Sequence, residues 1–238
     1  MSSQAEFRDE FVPQSVHLTQ KDNFNPDGSH NMDKSIWGRF NQCYVASAVS
    51  TMTQNANFLT SEGKIDPQKR WFMDEFAYNN LLNGAILERA KNGEINVKEG
   101  FNEEPSKVRF LWLRHADLMS LMFGDYSKKK YHYRFYSYSE KDLINTTKLG
   151  LQTLFSVKIR EIYGSGDGHI VSSCGLRYNE KGEVIGIFIQ DPAGSLFEKN
   201  SYRNDLFTGE KVYWSLSQLR RITKTGCHIM KLEERKNG

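Results

Sequence analysis

The stretch GHIVSSCGLRYNEKGEVIGIFIQDP, residues 168–192, holds two strand-like apolar runs joined by NEKG. Two such runs around a glycine-containing turn predict a β-hairpin, which places an antiparallel sheet in the second half of the chain. The neighbouring segments agree with it. YHYRFYSY alternates, QTLFSVKI reads as a buried strand and CHIMKLE as a closing strand, with short helices over KDLINTTKLGL and WSLSQLRRI. The first half has a different period. CYVASAVSTMTQNANFL, from Cys43, sets Val45, Val49, Met52 and Phe58 among small residues and suits a buried helix. DPQKRWFMDEFAYNNLLNGAILERAKNG starts with Asp66 and Pro67 as cap and first turn, and PSKVRFLWLRHADLMSLMFG runs from a proline to Gly124. Residues 1–40 are polar and turn-rich, with KDNFNPDGSHNMD reading as an irregular loop. Helices first and a mostly antiparallel sheet second define an α+β architecture.

A chain of 238 residues with 38% hydrophobic and 13% aromatic content is long and apolar enough for one folded domain over 1–238. Within it, 1–17 reads as an N-terminal extension and about 60–130 as a helical insertion. No apolar run reaches the roughly 18 residues of a membrane span. MSSQAEFRDEFVPQ shows no secretory signal, so the expected location is cytoplasmic, with export needing a holin-like or other route. Cys43, Cys174 and Cys227 are too few and too scattered for a disulfide framework or a structural zinc site. The net charge of +3 is mildly basic, and its densest cluster, SKKKYHYRFYSY over 127–138, reads as a solvated turn entering a strand, not a nucleic-acid contact.

A thiol nucleophile needs a base, a group that orients the base, and donors for the developing oxyanion. Cys43 opens a helix, where free N–H groups and the helix dipole favour thiolate. His169 begins a strand straight after GSGDG, and Asp191 ends the next strand in FIQDPAG. On paired strands the carboxylate can accept a hydrogen bond from one ring nitrogen. Each residue alone has a plainer reading, as packing, a strand histidine or a turn; their joint order favours chemistry.

NQCYVASAVSTM, GHIVSSCGLRY and GIFIQDPAG together resemble the papain-fold cysteine peptidases related to bacteriocin-processing (double-glycine leader) endopeptidases. LTQKDN, residues 18–23, is similar to the Gln-x-Asp-Asn lead-in of phage-borne members. The resemblance spans about 18–58 and 150–232. It implies a papain-like fold, Cys43 as nucleophile, His169 as general base, Asp191 as orienting partner and Gln20 in the oxyanion hole. Trp37 stands six residues before the cysteine, where papain-like enzymes carry that glutamine, so Gln42 competes with Gln20 as donor. Tyr44 replaces the glycine frequent after the nucleophile.

Other candidates have weaker patterns. Strand alternation sets Cys174 on the face opposite His169, and keeps the adjacent Cys227 and His228 from meeting. His115 sits in an amphipathic run and His132 has no evident partner. Asn23, Asn25, Asp27 and Gly28 imitate the first half of a calcium loop, but Lys34 occupies the position of its bidentate glutamate, so an Asx-rich turn is the plainer reading. No cofactor is required.

The expected function is a thiol-dependent hydrolase working through an acyl-enzyme, its substrate a peptide or the peptides of peptidoglycan, as in a phage-type endolysin. An acyltransferase with the same triad and a catalytically idle peptide-binding module are the alternatives. Neither nucleic-acid binding nor membrane insertion is expected, and the sequence leaves the oligomeric state open.

Overall fold

The structure, a computed structural model, describes residues 7–19, 43–65, 112–164, 168–198, 209–224 and 226–235. In chain order the described elements are β1 (Arg8–Phe11), α1 (Cys43–Ser61), α2 (Trp112–Tyr126), β2 (Tyr131–Ser137), α3 (Glu140–Lys148), β3 (Leu154–Lys158), α4 (Arg160–Tyr163), β4 (Gly168–Tyr178), β5 (Val184–Gln190), β6 (Val212–Ser215), α5 (Leu216–Ile222) and β7 (His228–Glu234). The strands form one seven-stranded sheet in the order β2-β7-β3-β4-β5-β6, with β1 also on β4. Every described pairing is antiparallel. This is the expected α+β class with a mostly antiparallel sheet.

The hairpin at the centre follows its sequence closely. Asn179 receives the turn: its side-chain oxygen accepts from the N–H groups of Lys181 and Glu183, and Gly182 takes a left-handed φ of 75°. The register slips between Ser173 and Gly175, a bulge that leaves Cys174 as the extra residue. Below the bulge β4 pairs with β3 through residues 168–172. Above it the same edge pairs with β1 through Gly175–Tyr178. β1 and β3 therefore share one lane of the sheet.

That pairing adds a strand to the polar, turn-rich stretch of residues 1–40, in which none was expected: Arg8–Phe11 is a sheet strand. Phe7 and Phe11 are the only local trace of it, and both remain exposed, so no buried alternation marks the strand. α2 also continues two residues past Gly124, its predicted stop, because Ser127 N–H still reaches the Phe123 carbonyl. Residues 66–111, the greater part of the expected insertion, lie outside the described residues.

Helices cover both faces of the sheet. On one face α1 and α2 pack through Val45, Met52, Met119 and Phe123 onto Tyr133, Leu154, Ile170 and Met230. On the other, Leu143 of α3 and Leu219 and Ile222 of α5 cover Phe155, Val171, Ile187 and Trp214. α5 starts at a capping box in which Ser215 and Gln218 satisfy each other's backbone N–H. α1 is buried over Tyr44–Met52, as the small residues Ala46, Ser47 and Ala48 permit.

Polar side chains fix where α1 sits. Ser47 donates to the Ile170 carbonyl at 3.0 Å. Two turns later Asn55 accepts from Gln152 N–H at 2.8 Å and donates to the Gln152 carbonyl at 3.1 Å. Gln152 lies next to Thr153, whose carbonyl accepts from Ser173 N–H. Eight helical residues cover about 12 Å, close to the span of β4 between Ile170 and Cys174, so α1 runs nearly parallel to β4.

Candidate active site

Stepping back one turn from Ser47 moves about 6 Å along the helix, or about two strand residues. Cys43, the first residue of α1, is four residues before Ser47, which is anchored to Ile170 near the start of β4. It is half-buried and reduced, and packs at the margin of the apolar cluster under α1.

His169 and Asp191 meet directly. The hairpin pairs Ser172 with Gln190, which puts Asp191, one residue on, within reach of His169. His169 Nε2 lies 2.7 Å from Asp191 Oδ1, with side-chain exposure of only 3% and 0%. A carboxylate oxygen accepts, so Nε2 carries the proton and Nδ1 is the basic nitrogen.

The local sequence builds the aspartate's setting. In DPAG the Asp191 side chain turns back on its own backbone: Oδ1 also accepts from Ala193 N–H at 3.0 Å, and Gly194 N–H reaches the Asp191 carbonyl at 3.2 Å with φ 98°. Asp191 N–H donates to the Gly209 carbonyl at 2.8 Å. Asp191 Oδ2 is buried and has no hydrogen-bond partner among the described residues.

A strap that sequence reasoning did not find passes beside this turn. After β1 the chain runs from Val12 to Thr19 across the middle of α1 and the end of β5. Gln54 donates to the Pro13 carbonyl at 2.8 Å and Ser50 to the Val16 carbonyl. Gln190 reaches Ser15 at 3.4 Å, and Thr19 donates to the Pro192 carbonyl at 3.1 Å. The strap's partners are backbone carbonyls and single side chains, which leave no motif in its own sequence.

The remaining candidates fall into place or outside the described residues. Gln20, Gln42, Trp37 and the Asn23–Gly28 loop lie outside them, as does the side chain of His115. Cys174 is fully buried, and burial pushes its thiol well above the usual range. Burial also raises Cys227, whose sulfur contacts the Ile222 carbonyl at 3.6 Å, while the His228 ring stacks on Phe135 with centroids 4.7 Å apart. Those neighbours serve different contacts, as alternation predicts. Desolvation lowers His132, helped by Arg134 and Arg235. Lys128, Lys129 and Lys130 form an exposed turn into β2, with φ of 51° and 64° at the first two. Among the described residues, no cluster of three or more His, Cys, Asp or Glu has metal-site geometry and no helix is long and apolar enough to cross a membrane.

Burial makes the three thiols experimentally separable. A small alkylating reagent at neutral pH is expected to modify Cys43 in the folded protein and spare Cys174 and Cys227, with all three reacting after denaturation. Mass mapping of the labelled peptides checks this; prompt labelling of Cys174 in the native state would contradict the burial of the bulge.

No protein-family model matches the chain, and no curated protein matches it.

Proposed function

We propose that this chain is a thiol hydrolase of papain-like fold that cleaves peptide amides through an acyl-enzyme, with Cys43 as nucleophile, His169 as base and Asp191 as its orienting partner. The observation that carries the reading is the buried 2.7 Å bond between His169 and Asp191, in a chain whose first long described helix opens with the half-buried thiol of Cys43. A buried, hydrogen-bonded imidazole and a thiol that opens a helix are the parts required for nucleophilic acyl transfer.

Ile170 belongs to the layer under α1 and Val171 to the opposite layer, so alternation takes His169 to the far side. The proposed site requires the thiol, which lies on the α1 side, to reach this ring around the start of β4. In this account His169 Nδ1 takes the Cys43 proton, and sulfur attacks the carbonyl carbon of the scissile amide. The resulting oxyanion is received by the Cys43 backbone N–H, which has no partner within the helix. Collapse breaks the C–N bond, and the imidazolium protonates the leaving amine. Water, deprotonated by the same nitrogen, then releases the acid and restores the thiol. Asp191 holds Nε2–H throughout, which keeps Nδ1 as the working atom.

The peptides of peptidoglycan are the substrate class proposed, because LTQKDN resembles the lead-in of phage-borne members of the bacteriocin-processing peptidase family, which include murein hydrolases. The test incubates purified sacculi and casein separately with wild type and Cys43→Ala. New amino termini from sacculi alone, lost in the variant, are the expected result. Casein cleavage without sacculus cleavage would overturn the substrate class, and transfer to an added amine in place of hydrolysis would make the enzyme an acyltransferase.

A further inference from the structure

We propose that Gly209 and Thr19 are positioning residues that hold Asp191, and through it the imidazole of His169, at working geometry. The inference rests on the assignment of Cys43, His169 and Asp191 above, and adds to it two residues from distant parts of the chain.

Gly209 touches the aspartate through its backbone on both counts. Its carbonyl accepts from Asp191 N–H at 2.8 Å. A Cβ built on it would lie 1.8 Å from the Asp191 carbonyl oxygen and 3.0 Å from Cε1 of His17. The His17 ring is the end of a side chain and can shift, but the Asp191 carbonyl is the backbone of the orienting residue and cannot yield cheaply. Only glycine lets these segments approach so closely. One residue further, the Asp191–Pro192 turn is held from the other side, where Thr19 donates to the Pro192 carbonyl at 3.1 Å. Gln190 ties the two flanks together: its side chain reaches Ser15 at 3.4 Å and accepts from Lys211 N–H at 3.2 Å.

The carboxylate needs this hold. Its Oδ1 serves both His169 and Ala193, while Oδ2 has no hydrogen-bond partner among the described residues. Rotation of the side chain therefore meets little resistance from the carboxylate's own bonds on the Oδ2 side. The backbone on each side of Asp191 supplies the resistance instead: Gly209 at its N–H and Thr19 at the following carbonyl. Neither residue is assigned any contact with substrate.

The experiment compares wild type, Gly209→Ala, Thr19→Val and Thr19→Ser by two readouts. One is the downfield imidazole N–H resonance of His169, which reports its bond to Asp191. The other is the rate of Cys43 alkylation as a function of pH. Gly209→Ala is expected to broaden or shift the resonance and to slow alkylation near neutral pH by about 10- to 100-fold, the usual penalty of a misplaced catalytic group. Thr19→Val is expected to slow it about fivefold, the worth of one hydrogen bond, and Thr19→Ser, which keeps the hydroxyl, to restore it. An unchanged resonance and pH profile in folded Gly209→Ala, or equal behaviour of the valine and serine variants, overturns the proposal. If Gly209→Ala does not fold, the Thr19 pair decides. If wild-type Cys43 reacts no faster than an ordinary exposed thiol, the catalytic assignment fails, and the hold on Asp191 is judged on the His169 resonance alone.

Discussion

Removing either Cys43 or His169 is expected to lower amide hydrolysis by about 10³-fold or more, and removing both is expected to cost no further activity. The reason is that in the proposed mechanism sulfur and imidazole act in one step. Without the thiol there is no acyl-enzyme, and without the base the thiol keeps its proton through the attack, so the second loss finds nothing left to remove. The His169 variant needs care because its partner is buried. His169→Ala strands the Asp191 carboxylate at 0% exposure, and breaking a buried pair from one side costs about 3–5 kcal/mol of stability. His169→Gln still offers an N–H to Oδ1 without a basic nitrogen, so it separates lost chemistry from lost folding. Steady-state kcat/KM for the singles and the double, each shown folded by circular dichroism, checks the expectation. Additive losses would mean that the two side chains work in separate steps and would remove His169 as the base.

Trp214→Ala is expected to be the most damaging core substitution away from the site, at about 3–5 kcal/mol. The indole is fully buried under α5, and meets Phe155 and Phe197 edge-on at 6.5 and 5.5 Å. Truncation leaves a void between two layers that cannot collapse independently. Its Nε1 is buried without a hydrogen-bond partner among the described residues, so the polar part of the ring contributes little. Trp214→Phe should therefore cost about 1–2 kcal/mol, the price of volume alone. Denaturant midpoints at constant m-value check both. A phenylalanine variant as unstable as the alanine one would point to an unseen partner for the indole N–H.

How much of this was legible in the sequence depends on how local each signal is. The β4–β5 hairpin and the His169–Asp191 pair lie 22 residues apart, within one period-2 pattern and one turn, so both could be read directly. α1 was legible for a similar reason, since its small residues announce close packing. β1, the strap and β6 were not. Arg8–Phe11 is exposed at all four positions and pairs with residues 164 to 170 positions away, so it carries neither an apolar pattern nor a nearby partner. β6 is only four residues long, and the helix-start signal of Ser215 and Gln218 overlaps its end. Gly209 lay beyond reach as well. Its role is a close approach of two backbones, which leaves no trace except the glycine itself.

The strap also sets an order of events. Thr19 and Ser15 bind partners 173 and 175 residues further along the chain, whereas the imidazole and its carboxylate need only a hairpin to close. Contacts between sequence neighbours form before those that must close a long loop. The base pair is thus the early part of the site and its hold the late one. A folding chain passes through a stage in which the histidine already has its aspartate but nothing yet restrains the aspartate's turn. The turn is restrained only when the strap of residues 12–19 comes to lie against the end of β5 and the residues that follow it.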